Sequence, residues 1–153
     1  MELRGAARRD LEIVSTWVSS ARECELWAGR RVQFPIRLDA LVDAIGFAYT
    51  GGYVLEDGGQ LAAFGQIVEK AGGRAHLARI IVAPDRRRRG TGTTLVNGLL
   101  EQARGRRRRT ASLNVDPSNA IAIGLYRTLG FADAPRPDDE PDPYGSLYMQ
   151  RPL

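Results

Sequence analysis

Arg86-Arg87-Arg88-Arg89-Gly90-Thr91-Gly92 follows directly on Val82-Ala83-Pro84-Asp85, and the combination suits the binding of an anion. A strand-like apolar run, Leu77–Val82, ends there, a glycine-punctuated turn follows, and helical spacing begins with Thr94-Leu95-Val96. At such a junction several backbone N–H groups converge with the positive end of the helix dipole behind them, an arrangement that favours phosphate. Gly90 and Gly92 permit close approach of a diphosphate, and the arginines add long-range attraction. Dinucleotide and P-loop readings fit less well: no third glycine stands at the Rossmann spacing, and no Gly-Lys-Ser/Thr is present.

A second cluster lies downstream, where Leu113-Asn114-Val115 is followed by Asn119, Ala122, Tyr126 and Gly130-Phe131. Asn119 and Tyr126 are seven residues apart, about two helical turns, so they share a face, and the small Ala122 between them leaves room for an extended ligand. A phenol so placed is a proton donor; the competing reading is an amphipathic residue packed at a helix–sheet boundary. For Asn119 a helix N-cap is the rival, and the two roles are compatible.

The elements that position these residues follow from the pattern. Glu2-Leu3-Arg4 reads as a short first strand, Asp10 as the N-cap of a helix over Leu11–Val18, Ala21–Ala28 as a second helix ending at Gly29, and Leu38–Ala48 as a third capped near Asp39. Strands follow at Tyr53–Leu55 and Leu61–Val68 around a Glu56–Gln60 turn, then at Ala75–Val82. A helix Gly92–Ala103, a strand Ala111–Val115, a helix Asn119–Leu129 and late strands near Phe131 and Leu147–Gln150 complete the order. Strands followed by βαβα units predict an α/β (α+β) fold with a mixed sheet covered by helices.

The 153 residues suit a single domain, 1–153, and the 43% hydrophobic and 26% charged fractions are those of a soluble globular chain. No apolar run reaches a membrane span and no signal-peptide core opens the chain, so a cytoplasmic location is expected. Cys24 is the only cysteine and His76 the only histidine, which argues against a disulfide framework and against a bound metal. The net charge of +4 is almost entirely arginine, since Lys70 is the only lysine. That balance raises a nucleic-acid reading, but the runs Arg86–Arg89 and Arg106–Arg109 flank one helix rather than interleaving with aromatics, so nucleic acid is not the expected partner.

Both motifs resemble the GNAT N-acetyltransferase superfamily. Its acyl-CoA signature, V-x-P, two residues, Q/R-x-x-G-x-G/A, is matched by Val82, Pro84, Arg87, Gly90 and Gly92; its last motif, N-x-x-A-x-x-x-Y-x-x-x-G-F, is matched by Asn119, Ala122, Tyr126, Gly130 and Phe131. The resemblance covers most of the chain from Tyr53 onward and only loosely the first fifty residues. It implies a GNAT-like, mostly antiparallel twisted sheet with a splayed parallel strand pair, the strands ending here at Val82 and Val115, with acyl-CoA in the gap. It further implies that main-chain groups of Ile80, Ile81 and Val82 pair with the pantetheine and polarise the thioester. The N–H groups of Arg88, Arg89, Gly90, Thr91, Gly92 and Thr93, beside Arg87, would hold the diphosphate. Asn119 would touch the pantetheine or diphosphate, and Tyr126 would protonate the departing thiolate.

The base is less evident. Counting back six residues from Val82, where many family members carry a glutamate, gives His76, a credible base at an ordinary pKa of about 6.5, although a lone strand histidine is more often structural or at the surface. Other members place a glutamate where this chain has Asn114, which accepts no proton. The acceptor site is expected from the early helices and late loops, with one or two of Trp17, Trp27, Phe34 and Tyr49 lining it; Arg79 could face either a carboxylate substrate or a neighbouring acid, and a structural ion pair is the first expectation of the two. The resemblance thus implies an acetyl-CoA-dependent N-acetyltransferase acting on a primary amine, of a small metabolite or of a protein or peptide N-terminus. A non-catalytic CoA-binding module is the alternative, and a basic nucleic-acid-binding domain ranks below both. Monomer and homodimer both stay open.

Overall fold

The computed structural model describes residues 1–142 and 144–153. Seven strands form one sheet: β1 (Glu2–Gly5), β2 (Tyr53–Asp57), β3 (Gln60–Lys70), β4 (Arg74–Val82), β5 (Thr110–Val115), β6 (Ala132–Asp133) and β7 (Leu147–Pro152), in the order β1-β2-β3-β4-β5-β7-β6. Every pairing is antiparallel except β4 with β5. That parallel register runs only from Arg74↔Thr110 to Leu77↔Leu113, so beyond Leu77 the two strands part company while each keeps its other neighbour. The splayed parallel pair expected from the sequence is therefore present.

Helices cover both faces. On one lie α5 (Thr91–Gly105) and α6 (Ala120–Thr128), on the other α1 (Arg8–Ser15), α2 (Ala21–Ala28), α3 (Leu38–Ala44) and α4 (Phe47–Thr50). Leu95, Val96, Leu99, Leu100 and Ala103 recur at helical spacing along α5 and pack against Leu77, Leu113 and Met149 of the sheet. Gly98 lets α5 lie close on β1, where a Cβ would come 3.0 Å from Leu3 Cδ2. Across the sheet Leu11, Val14, Leu41 and Ile45 form a second core around Phe64. No helix among the described residues is long and apolar enough to cross a membrane.

Two N-terminal expectations need correction. Helix α1 begins at Arg8, not Leu11, and Asp10 sits inside its first turn rather than capping it. The Asp10 carboxylate accepts from the Ala7 N–H (2.7 Å) and pairs with Arg4 (2.8 Å), so it ties β1 to α1; the Arg4 contact holds its pKa below the usual range. The expected helix Leu38–Ala48 is broken in two at Gly46, whose φ of +60° is left-handed.

Candidate active site

The gap between β4 and β5 is the mouth of a cleft of about 850 Å³, lined from β4, β5, α2 and the starts of α5 and α6. A bulge shapes it. Opposite Gly65 of β3 stand two residues of β4, Arg79 and Ile80, and Arg79 takes the left-handed φ of +51°. Before the bulge Ala75 and Leu77 face α5; after it Ile80 and Val82 do, while Ile81 turns to the opposite core. The Trp27 indole N–H of α2 donates to the Arg79 carbonyl (2.9 Å) and so pins the bulge from outside the sheet. Because β5 has diverged, the β5-facing edge of Ala78–Val82 has no strand partner among the described residues, which leaves backbone groups for an extended ligand, although the Val82 carbonyl accepts from Arg87 Nε (3.1 Å).

At the end of β4 the chain makes a short 3-10 turn, Pro84–Arg86, and enters α5 through Arg88 (φ +61°) and Gly90 (φ +79°). Gly90 is the N-cap and carries no side chain, and the first helical bond is Thr94 N–H to the Gly90 carbonyl (3.1 Å). The amides of Thr91, Gly92 and Thr93 precede that bond and belong to the orphan donors of a helix start. Arg87, Arg88, Gly90, Gly92 and Thr93 line the cleft; the Arg89 and Thr91 side chains do not, and Thr91 is buried beneath the turn. A Cβ on Gly92 would lie 3.3 Å from Leu125 Cδ2 and 3.8 Å from Val82 Cγ2, inside the cradle, whereas one on Gly90 would meet open space.

Helix α6 supplies the other wall. The Asn119 side-chain oxygen caps it by accepting from the Ala122 N–H (3.2 Å), and Asn119 also faces the cleft, so both roles weighed from the sequence are open to it. The Gly130-Phe131 pair closes the helix. Gly130 N–H bonds the Arg127 carbonyl and Phe131 N–H the Tyr126 carbonyl, with Gly130 at φ +90° and the Phe131 ring edge-on to Tyr126. Tyr126 is thereby locked against the core with its phenol at the cleft, and burial pushes its pKa up to about 12. Tyr144, from the segment before β7, lies close enough to push in the same direction.

His76 is buried and lines the cleft, but not as an imidazole of ordinary pKa. Its Nδ1 lies 2.8 Å from Ser112 Oγ and 3.2 Å from Glu140 Oε1, and its Nε2 lies 3.5 Å from Asn114 Nδ2. Arg136 donates to Asn114 Oδ1 (2.6 Å), which turns the Asn114 amide nitrogen toward His76 and leaves Nε2 as the unprotonated nitrogen. Burial lowers the His76 pKa to about 3, with Arg74, Lys70, Arg79 and Arg136 adding repulsion; the Glu140 carboxylate opposes them without reversing the direction. His76 is therefore neutral at neutral pH, a correction to the expected value near 6.5.

Glu140 was not anticipated. It comes from the Pro/Asp-rich segment after β6, is buried, and accepts from Arg74 (3.1 Å) with Lys70 Nζ at 3.7 Å. A lone glutamate among prolines and aspartates carries no local signal; only the fold brings it beneath His76. Of the early aromatics, Trp17 and Trp27 line the cleft, whereas Phe34 and Tyr49 are exposed away from it. Cys24 is buried, and burial pushes its thiol pKa up, away from an activated thiolate.

Comparison with known proteins agrees with this geometry. A profile of the Acetyltransferase (GNAT) family matches residues 14–131. The [Ribosomal protein bS18]-alanine N-acetyltransferase of Escherichia coli K12 is 39% identical over 82 residues, which are 54% of this chain and 55% of that protein. The chain thus spans about half the length of the curated relatives it matches. The crystal structure of the E. coli ribosomal-protein-S18-alanine N-acetyltransferase superposes with a TM-score of 0.69 at 25% identity, covering 99% of this chain and 92% of that one. An N-acetyltransferase of Thermoplasma acidophilum in complex with coenzyme A shares the fold, with a TM-score of 0.74 at 16% identity over 99% and 98% of the two chains. Splayed strands, an open helix start and a profile match over most of the sequence converge, and the chain belongs to the GNAT family of acetyltransferases.

Proposed function

We propose that this protein moves an acetyl group from acetyl-CoA to a primary amine by direct attack of the amine on the thioester. The observation that carries the reading is the unpaired edge of β4, which runs into the orphan amides of α5 with the Tyr126 phenol facing the same cleft. The residues fit the cosubstrate. Amides from Arg88 to Thr93 would hold the diphosphate, with charge from Arg87, Arg88 and Arg89; Thr91 and Arg89 would contribute through the main chain. The free edge at Ile80, Ile81 and Val82 would receive the pantetheine and polarise the thioester carbonyl, and Asn119 would contact the arm from the α6 side.

Tyr126 is the proposed acid. A phenol with its pKa pushed up to about 12 is protonated at neutral pH and can donate its proton to the thiolate that departs beside it. As the amine nitrogen bonds to the carbonyl carbon and the C–S bond breaks, the sulfur takes the phenolic proton. The proton shed by the amine needs an acceptor, and we assign it to His76 acting with Glu140. Nε2 takes a proton while Nδ1–H passes one to the carboxylate, so no imidazolium accumulates in a site that disfavours it. The Tyr126 phenolate then takes a proton from solvent, while Glu140 returns its proton to Nδ1 and Nε2–H releases one to solvent, which restores the starting state.

The acceptor is a protein or peptide N-terminus or a small amine; the relatives named for ribosomal protein alanine favour an N-terminal alanine. A non-catalytic CoA-binding module is the second reading, favoured by Asn114 standing hydrogen-bonded to Arg136 where an acid base is absent. Calorimetric titration with acetyl-CoA, followed by thiol release with alanine-initiated peptides, separates the two. Binding with turnover is expected; binding without thiol release from any amine would favour the module, and no binding would remove both. Tyr126→Phe is expected to lower kcat by about 10²-fold or more at unchanged CoA affinity, and an unaltered rate would exclude Tyr126 as the acid.

A further inference from the structure

Arg79 does not form the structural ion pair that was its first expectation. No carboxylate lies within ion-pair distance of its guanidinium among the described residues, although it is half-buried and its desolvation is unfavourable enough to lower its pKa. Its one hydrogen bond goes from Nη1 to Gln66 Oε1 (3.0 Å). Gln66 is itself fully buried and held by donation from Nε2 to the carbonyls of Ile45 (3.1 Å) and Gly51 (2.7 Å), so its oxygen is fixed toward Arg79. The arginine is thus presented by a rigid bracket, on a left-handed backbone pinned by Trp27.

No buried side-chain nitrogen in the described residues lacks a partner, so the guanidinium nitrogens not bonded to Gln66 reach the cleft that Arg79 lines. The bulge puts them on the α1–α4 side of the sheet, opposite the face along which Ile80 and Val82 pack, and close enough to His76 for their charge to act on it. The cleft's own carboxylates are already engaged. Glu140 is held by Arg74, Glu25 by Arg30, Glu23 by the Ser19 N–H, and Asp116 by Ser118. Elsewhere in the chain comparably placed arginines carry acids, Arg4 on Asp10 and Glu56, Arg74 on Asp139 and Glu140.

We propose that Arg79 is a specificity residue that binds a carboxylate of the acceptor, so that the preferred substrate is an amine carrying an anionic group close to the reacting nitrogen. A guanidinium held half-desolvated with free N–H groups forms strong charge-assisted bonds to a carboxylate and discriminates against its neutral amide. This inference rests on the acetyl-transfer reading of the cleft. The carboxylate has two sources, the α-carboxylate of a free amino acid or an acidic side chain next to a peptide N-terminus, and paired acceptors distinguish them: alanine against alaninamide, and Ala-Glu-amide against Ala-Gln-amide.

In one of the two pairs the carboxylate member is expected to show a kcat/KM about 10-fold or more above its amide, carried mainly by KM. Arg79→Gln is expected to bring that ratio to about one while acetyl-CoA affinity stays unchanged, and Arg79→Lys to restore part of it. A ratio near one in both pairs for the wild type, or a preference that survives in Arg79→Gln, would overturn the assignment. Should no amine turn over, the acetyl-transfer reading fails first. The Arg79 site is then read by binding of the four acetylated products to the CoA-loaded protein, followed by Trp17 and Trp27 fluorescence. Tighter binding of a carboxylate product that is lost in Arg79→Gln supports the site; equal binding of each pair overturns it.

Discussion

His76 shows how far burial moves an imidazole from the pKa it has in water. Its imidazolium is disfavoured by burial and by four neighbouring cations, so the free enzyme's imidazole does not titrate in the working range. The expected kcat/KM–pH profile has no break near 6.5 from this group, and a clear break there that vanishes in His76→Gln would refute the assignment. Stability must respond in the opposite range. With a folded pKa of about 3 and an unfolded one near 6.5, the unfolded chain binds more protons between those values. The stability conferred by neutral His76 is therefore complete above about pH 6.5 and is lost as pH falls toward 3, by up to about 1.4 kcal/mol per unit. Denaturant melts of wild type and His76→Gln between pH 7 and 4 should show the smaller acid loss in the variant; parallel curves would count against a neutral, buried imidazole. The place of Tyr126 at the cleft was readable from local spacing and that of Asn114 from the family resemblance, whereas Glu140 was not, because nothing in a Pro/Asp-rich segment marks the one carboxylate that turns inward.

The strand β4 and helix α5 form the unit proposed to bind the cosubstrate, and the roles of their residues differ one by one. Gly92 is needed for space: a valine there would put methyl groups against Val82 and Leu125 and into the cradle. Gly92→Val is expected to weaken acetyl-CoA binding at least about 10-fold in calorimetry while the far-ultraviolet spectrum stays native. Gly90 is needed for backbone conformation, since its Cβ would meet nothing but its φ is +79°. Gly90→Ala is expected to cost about 1 kcal/mol of stability through left-handed strain, with a smaller effect on affinity than Gly92→Val; the reverse ranking would mean the cradle has been misassigned. The signature around these glycines was legible because it is local: strand, turn and helix start follow one another within a dozen residues. The bulge at Arg79 was not, because it exists only in the register of β4 against β3. The break at Gly46 was missed because an apolar helical pattern continues across it, with Ile45 and Phe47 on either side both packed into the core that holds Phe64.

At the scale of the molecule, a buried ionic cluster fastens the segment after β6 to the sheet. Arg74 of β4 reaches Asp139 (2.7 Å), Glu140 (3.1 Å) and Ser112 (2.8 Å), and its guanidinium lies over the Tyr148 ring. Removing one member of such a cluster leaves an uncompensated buried charge, so Glu140→Ala is expected to cost about 3–5 kcal/mol. Removing the exposed Glu69, which pairs with Arg106 and Arg108 at the surface, should cost less than about 1 kcal/mol. Chemical denaturation of the two variants checks the contrast, and equal losses would mean that the cluster is solvated rather than buried.

What the sequence determined by itself is the chemistry written in short-range spacing: the glycine-arginine turn, the Asn119–Tyr126 face, the Gly130-Phe131 helix stop and the alternation of strands and helices. These depend on dihedral preferences and helical periodicity, which act over a few residues. The tertiary structure alone decided the divergence of β4 from β5, the bulge that turns Arg79 toward Gln66 on the α1–α4 side of the sheet, the partner of Asp10 and the burial of Glu140 beneath His76. Those features arise from strand register and from desolvation, and both are set by residues far apart in the chain.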